Sequence, residues 1–196
     1  MPKGNALRDR TAAMIIDSAA ALLADRGEAS VEEIAVAAGI GRATLYRYFA
    51  NRDELLRAMA AASLEELAVR IKEADLDAVP FDEAVARLTR AIVTTGNKYA
   101  ALGRGGGRYS DAYSDVDGGV IEPIRALFRR GIADGSLRDG FPPDLLVSLF
   151  SGLVRGALYA TDRQRGIEES AAAITSLFLH GVRAPRPSAG RLSTRT

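Results

Sequence analysis

The stretch Ser30–Arg52, SVEEIAVAAGIGRATLYRYFANR, constrains the fold most, because its punctuation leaves room for two short helices and a tight turn. Ser30 is a natural N-cap, and Glu33 completes a capping box with it. Ile34, Ala35 and Ala38 then share one helical face. Gly39 ends that helix, since glycine takes the left-handed backbone at little steric cost. Ile40 is apolar, and Gly41 caps a second helix from Arg42, in which Leu45 and Phe49 point inward. Arg42, Ala43, Thr44, Tyr46, Arg47 and Tyr48 are left on its other sides. Asn51 and Glu54 form another cap-and-acid pair, so a further helix starts at Arg52. Helix, glycine turn and helix at this spacing make a helix-turn-helix.

The side chains left outside that turn suit DNA. Arg42, Arg47 and Arg52 recur every five residues, with no acid between Glu33 and Asp53. Arginine pairs with phosphate or reads guanine O6 and N7 with two bonds. Tyr46 and Tyr48 offer hydroxyls to phosphate oxygens, and Thr44 offers a methyl and a hydroxyl to a base edge. The same tyrosines also suit plain packing, and a helix pair with a glycine turn is common in helical proteins.

The run GIGRATLYRYFANRDELL closely resembles the recognition-helix signature of the TetR family of transcriptional repressors. That signature has a turn glycine, a Thr-Leu-Tyr core, an aromatic pair and a Lys or Arg before the next helix. Here these are Gly39, Thr44-Leu45-Tyr46, Tyr48-Phe49 and Arg52, and VEEIAVAAG also fits. The resemblance covers roughly residues 10–55; beyond that it is one of length and helical character. Gly41 departs from the usual capping serine, and Arg52 from the commoner lysine.

Composition narrows the alternatives. A chain of 196 residues can build one domain or two small ones with a sizeable core. It has no cysteine and one histidine, His180, so no thiolate or histidine-cluster metal site is expected, and no cofactor. The formal net charge is +1, and residues 1–60 hold eight Lys or Arg against eight Asp or Glu. DNA binding must therefore come from local arrangement of charge. No apolar run approaches the ~20 residues that span a bilayer. Asp17 and Asp25 break the apolar stretch a signal peptide needs. A soluble cytoplasmic protein is expected, with no membrane partner.

Residues 1–9 are expected as an arm whose Lys3 and Arg8, with Arg10, either touch the DNA backbone or belong to a frayed terminus. Helical periodicity predicts a first helix from about Arg10 to Arg26, completing a three-helix head. Arg52 to about Ala74 has no internal Gly or Pro and is long enough to leave the head. The family resemblance makes it the connector between a DNA-binding head and a ligand-binding body. ADLDAVP, ending at Pro80, is a linker. Further helices are expected at 81–102, 120–134, 143–163 and 167–182. Residues 103–119 are glycine-rich, but no GK[ST] follows and no strand precedes, so a surface loop is expected, with Tyr109 and Tyr113 candidates to line a cavity. The basic, Pro-containing tail after 182 reads as disordered.

The expectation is an all-α fold of about nine helices, with a head at 1–52, a body at 53–182 and a tail at 183–196. The function expected with it is a ligand-responsive transcriptional regulator, a repressor, bound as a homodimer to a double-stranded palindromic DNA operator and released by a small, largely apolar effector. Arg42, Ala43, Thr44, Tyr46, Arg47, Tyr48 and Arg52 are the DNA-contact candidates. Leu88, Ile92, Tyr99, Tyr109, Tyr113, Leu127, Phe128 and Phe150 are the effector-pocket candidates, although they equally suit a filled core. Lys98 and Arg125 lie near them without reason to aim inward. Leu158 and Phe178, on the two most apolar helices, are the dimer-interface candidates. Two rivals remain: a helical dimer that does not bind DNA, and a small-molecule enzyme. Acid pairs such as Glu32/Glu33 and Glu65/Glu66 diverge on helices and read as solvated faces rather than as catalytic sites.

Overall fold

The computed structural model describes residues 3–103, 117–138, 140–160 and 166–182. Tyr109, Tyr113, most of the glycine-rich loop and the tail after 182 lie outside the described residues. Nine α-helices are described: α1 (Lys3–Arg26), α2 (Val31–Ala37), α3 (Arg42–Tyr48), α4 (Arg52–Glu73), α5 (Phe81–Lys98), α6 (Ala100–Gly103), α7 (Glu122–Ala133), α8 (Pro143–Ala160) and α9 (Ile167–Val182). A 3-10 turn spans Leu76–Ala78, and a π-type turn spans Asp117–Ile121 before α7. The all-α expectation holds.

Two apolar clusters organise these helices. The first gathers Ile15, Ala19 and Leu23 of α1, Ile34 of α2, Leu45 and Phe49 at α3, and Leu55 and Met59 of α4. The second gathers Phe81 and Leu88 of α5, Leu127 and Phe128 of α7, Leu146 and Phe150 of α8, and Ile174 and Phe178 of α9. Helix α4 contributes to both: Leu55 and Met59 to the head, Ile71 to the body. The head cluster thus runs past residue 52 and also takes in Tyr99 and Leu102.

At the centre of the body three phenylalanines meet. The Phe128 and Phe150 rings lie 5.7 Å apart at 78°, and Phe150 and Phe178 lie 4.9 Å apart at 70°. Edge-to-face contact aligns the positive rim of one ring with the negative face of the next. Gly131 lets α7 approach α5, because a Cβ there would stand 2.4 Å from the Phe81 ring. Between α4 and α5, Arg130 of α7 donates to the carbonyls of Leu76 (2.8 Å) and Val79 (3.3 Å), so the expected linker is tied down.

Several element ends differ from the expectation. Helix α1 begins at Lys3 rather than near Arg10, because nothing terminates it upstream of its apolar stripe; Thr11 Oγ1 donates back to the Leu7 carbonyl at 3.0 Å. The helix expected at 81–102 breaks at Tyr99 (φ −105°, ψ 25°) and restarts as α6. That break turns Tyr99 and Leu102 into the head cluster.

Phe150 is fully buried against two aromatic neighbours. Phe150→Ala is expected to lower unfolding stability by about 3–5 kcal/mol, measured by urea denaturation.

Candidate nucleic-acid interface

The geometry begins with the Ser30 cap. Glu33 N–H donates to Ser30 Oγ at 3.2 Å, and Ser30 N–H donates to Glu33 Oε2 at 2.8 Å. The Ser30 backbone bond, then its hydroxyl, holds the Glu33 carboxyl below the usual carboxylate range. Gly39, at φ +67°, makes the turn out of α2 with no side chain to strain it. Gly41 then caps α3 through its carbonyl, which accepts from Thr44 (2.9 Å) and Leu45 (3.1 Å). Phe49 leaves the helix extended (φ −135°, ψ 108°), and Asn51 Oδ1 accepts from Glu54 N–H at 2.8 Å to start α4.

With Leu45 and Phe49 buried and Tyr48 packed against the head cluster, most of the rest of α3 faces outward. Arg42, Ala43, Tyr46 and Arg47 are exposed, and Thr44 and Tyr48 are half-buried. The Arg42 guanidinium pairs with Glu32 of α2 and stands 5.4 Å from the Tyr46 ring centroid. The guanidinium of Arg8, from α1, lies 6.0 Å from the Tyr48 ring centroid. Cations, hydroxyls and small side chains therefore converge on one surface strip along α3. Such a strip can meet phosphates and base edges together.

Arg52, the last of the DNA-contact candidates, also makes a contact within its own chain. It is half-buried and donates through Nη1 to the Ala29 carbonyl. The bond ties the start of α4 to the turn between α1 and α2, so Arg52 braces the head. Glu32, read from the sequence only as part of a solvated acid pair, follows Val31 on α2, and the turn brings it to Arg42.

The described effector candidates do not line a common pocket. Leu88, Leu127, Phe128 and Phe150 are at most 1% exposed and form the body core. Ile92 packs half-buried against that core, and Tyr99 belongs to the head cluster instead. Of the two charges near them, Arg125 pairs with Glu122 and Asp144 at the surface. Lys98 pairs with Asp17 and Glu66. An open groove of about 530 Å³ lies elsewhere, between α4 and the start of α7, lined by Ala68, Val69, Ile71, Lys72, Pro123 and Ala126 among others.

The dimer candidates also move. Phe178 is 5% exposed and sits in the aromatic centre, so it faces its own chain. Leu158 lies against Gly96 of α5, its Cδ1 2.6 Å from where a Cβ on that glycine would be. The outward stripes of the last two helices are instead Leu145, Leu149, Gly152 and Gly156 on α8, and Ala173 and Leu177 on α9. His180 Nδ1 lies 2.7 Å from the Ser176 carbonyl one turn back in α9. Among the described residues there is no cluster of three metal-binding side chains, and no helix is long and apolar enough to cross a membrane.

Residues 15–59 match the family model described as bacterial regulatory proteins, tetR family. The chain is 38% identical over 89 residues to the HTH-type transcriptional repressor LfrR of Mycolicibacterium smegmatis. That match covers 45% of this chain and spans about half, 47%, of the repressor's own length. It is 29% identical over 181 residues to the HTH-type transcriptional regulator NfxB of Pseudomonas aeruginosa, covering 89% of this chain and 95% of that one. The fold is similar to the crystal structure of the TetR-like regulator LfrR from Mycobacterium smegmatis in complex with proflavine. There the TM-score is 0.73 and the identity 26%, over 90% of this chain and 99% of that chain. These relatives are transcriptional regulators rather than enzymes.

Ser30→Ala removes the side-chain half of the capping box and is expected to cost about 1 kcal/mol. The depressed Glu33 carboxyl gives the cap its sign with pH. Its contribution is present above the free carboxylate value and is lost as pH falls through the lower folded value. Thermal melts of both proteins between neutral and acid pH check this: the difference between them should shrink towards the acid end.

Proposed function

We propose that this chain, which belongs to the TetR family of bacterial regulatory proteins, is a repressor that binds a palindromic operator as a homodimer and leaves it when a small effector binds. The observation that carries the reading is the outward strip of α3, where Arg42, Ala43, Tyr46 and Arg47 stand exposed on a helix anchored by Leu45. Arg42 occupies the first turn, where recognition-helix side chains reach base edges. Binding releases it from Glu32, so the pair holds the guanidinium at the reading surface until a guanine replaces the carboxylate.

One head reads too few base pairs for specificity, and two heads about 34–36 Å apart meet successive major grooves. The exposed stripes of α8 and α9 support a two-fold contact. Leu149 and Leu177 are 51% and 66% exposed, and the neighbouring Gly152, Gly156 and Ala173 let backbones come close. The effector is a small, largely apolar, aromatic molecule, a class supported by the proflavine complex of the LfrR relative. We place it in the groove against Ala68, Val69 and Ile71, on the helix that runs to the head. An effector there acts only if it prefers the state of α4 that does not fit DNA.

A gel shift with DNA from upstream of the chain's own coding region tests the reading. Arg42→Ala should weaken binding by about 1–3 kcal/mol and relax choice at one base in each half-site. Wild-type binding with no preference over random DNA would remove the operator reading. Leu177→Glu should convert the dimer to a monomer in sedimentation and abolish the shift, whereas a wild-type monomer at micromolar concentration would rule the homodimer out. With proflavine as the probe, Ala126→Trp should fill the groove and weaken dye binding while leaving the gel shift intact.

A further inference from the structure

One ammonium links the head to the body. Lys98 ends α5, and its Nζ lies 2.9 Å from Asp17 Oδ1 on α1 and 2.7 Å from Glu66 Oε2 on α4. Three helices are thereby joined: the first of the head, the connector, and one of the body. Glu66 is held in turn by Arg70, which donates to its Oε1 at 3.0 and 2.8 Å, and by the Tyr99 hydroxyl at 3.3 Å. Directly after Lys98 the chain turns into the head, where Tyr99 and Leu102 are 5% and 6% exposed.

The two kinds of contact do different work. Burial of Tyr99 and Leu102 holds the head and body together, but apolar burial has no direction and tolerates sliding. Bonds from one ammonium to carboxylates on two helices are directional and charge-assisted. The Lys98 and Glu66 side chains are 37% and 22% exposed, so their attraction is less screened than that of a fully solvated pair. Burial works against the Lys98 charge, yet the bonds to Glu66 and Asp17 outweigh it and keep the ammonium above the ordinary lysine range. The ammonium is therefore held in its charged form at neutral pH.

The geometry points to Lys98 as the positioning residue that sets the angle of the DNA-reading head on the body, and through that angle the half-site spacing the dimer accepts. The inference rests on the reading of the chain as an operator-binding dimer. It names the residue that couples the end of α5 to both α4 and α1, since Lys98 bonds to each. A small rotation at this seam is carried to two heads at once in a two-fold dimer, so it changes the distance between reading helices while leaving each head's base contacts intact.

The test uses the full chain and a pool of DNA duplexes carrying the two operator half-sites at varied spacing. Wild type should select one spacing. Lys98→Met should bind that spacing at least about fivefold more weakly and accept spacings one or two base pairs longer or shorter. Binding to a single half-site should not change, and Lys98→Arg should restore the wild-type profile. Asp17→Asn should shift the profile in the same direction, and adding it to Lys98→Met should add little, as expected for partners in one interaction. Asp17 is 62% exposed, so its variant reports even where Lys98→Met unfolds. A folded Lys98→Met or Asp17→Asn protein with the wild-type spacing profile overturns the assignment. A wild-type protein that selects no duplex at any spacing overturns the operator reading itself, and a wild type that binds one spacing keeps the two outcomes apart.

Discussion

Everything the outward strip of α3 can do depends on the burial of Leu45 and Phe49. Helix α3 has seven residues, well short of the ~12–15 that hold an isolated helix together in water. It exists because Leu45, 1% exposed, and Phe49, 6% exposed, are packed beneath α1, α2 and α4. The same burial decides the direction of every other α3 side chain. A helix whose inner edge is pinned at Leu45 has Ala43 and Arg47 on its far side and Tyr46 and Thr44 on its flanks. The caps then set where it sits: Gly39 turns the chain, and Arg52 ties the next helix back to Ala29.

Helix α4 makes two clusters into one molecule. Its first half lends Leu55 and Met59 to the head, and its second half lends Ile71 to the body. The helix is thus packed into a cluster at each end. The groove against Ala68 and Val69 opens onto that helix, and the Lys98 node grips it at Glu66, less than one turn away along the chain. The body centre is filled by Phe128, Phe150 and Phe178, so whatever reaches α4 from that side must come through its outer surface.

The head was legible in the sequence because its signals are local. A serine cap with its glutamate, a turn glycine and two apolar residues four apart all act within a few residues of one another, and each met its partner as expected. Helices whose stripes were regular, such as α7 and α9, were legible for the same reason. The described effector candidates were not, because periodicity marks a side chain as inward without telling whether the interior is filled. Leu88 and Phe150 fill it. Phe178 was misplaced similarly: apolarity all round a helix leaves open which side meets its own chain and which meets solvent.

The sequence by itself determined the helical class, the helix-turn-helix and the outward set on α3, since caps, glycines and a 3.6-residue period need no knowledge of distant partners. Only the tertiary structure decided what long-range neighbours do. It gave Arg52 to the Ala29 carbonyl, 23 residues away, and Lys98 to Asp17 and Glu66. It also broke the expected helix at Tyr99, because burying that ring and Leu102 in the head outweighs continuing a straight helix there. Such choices depend on which surfaces come together in space, and no spacing along the chain encodes that.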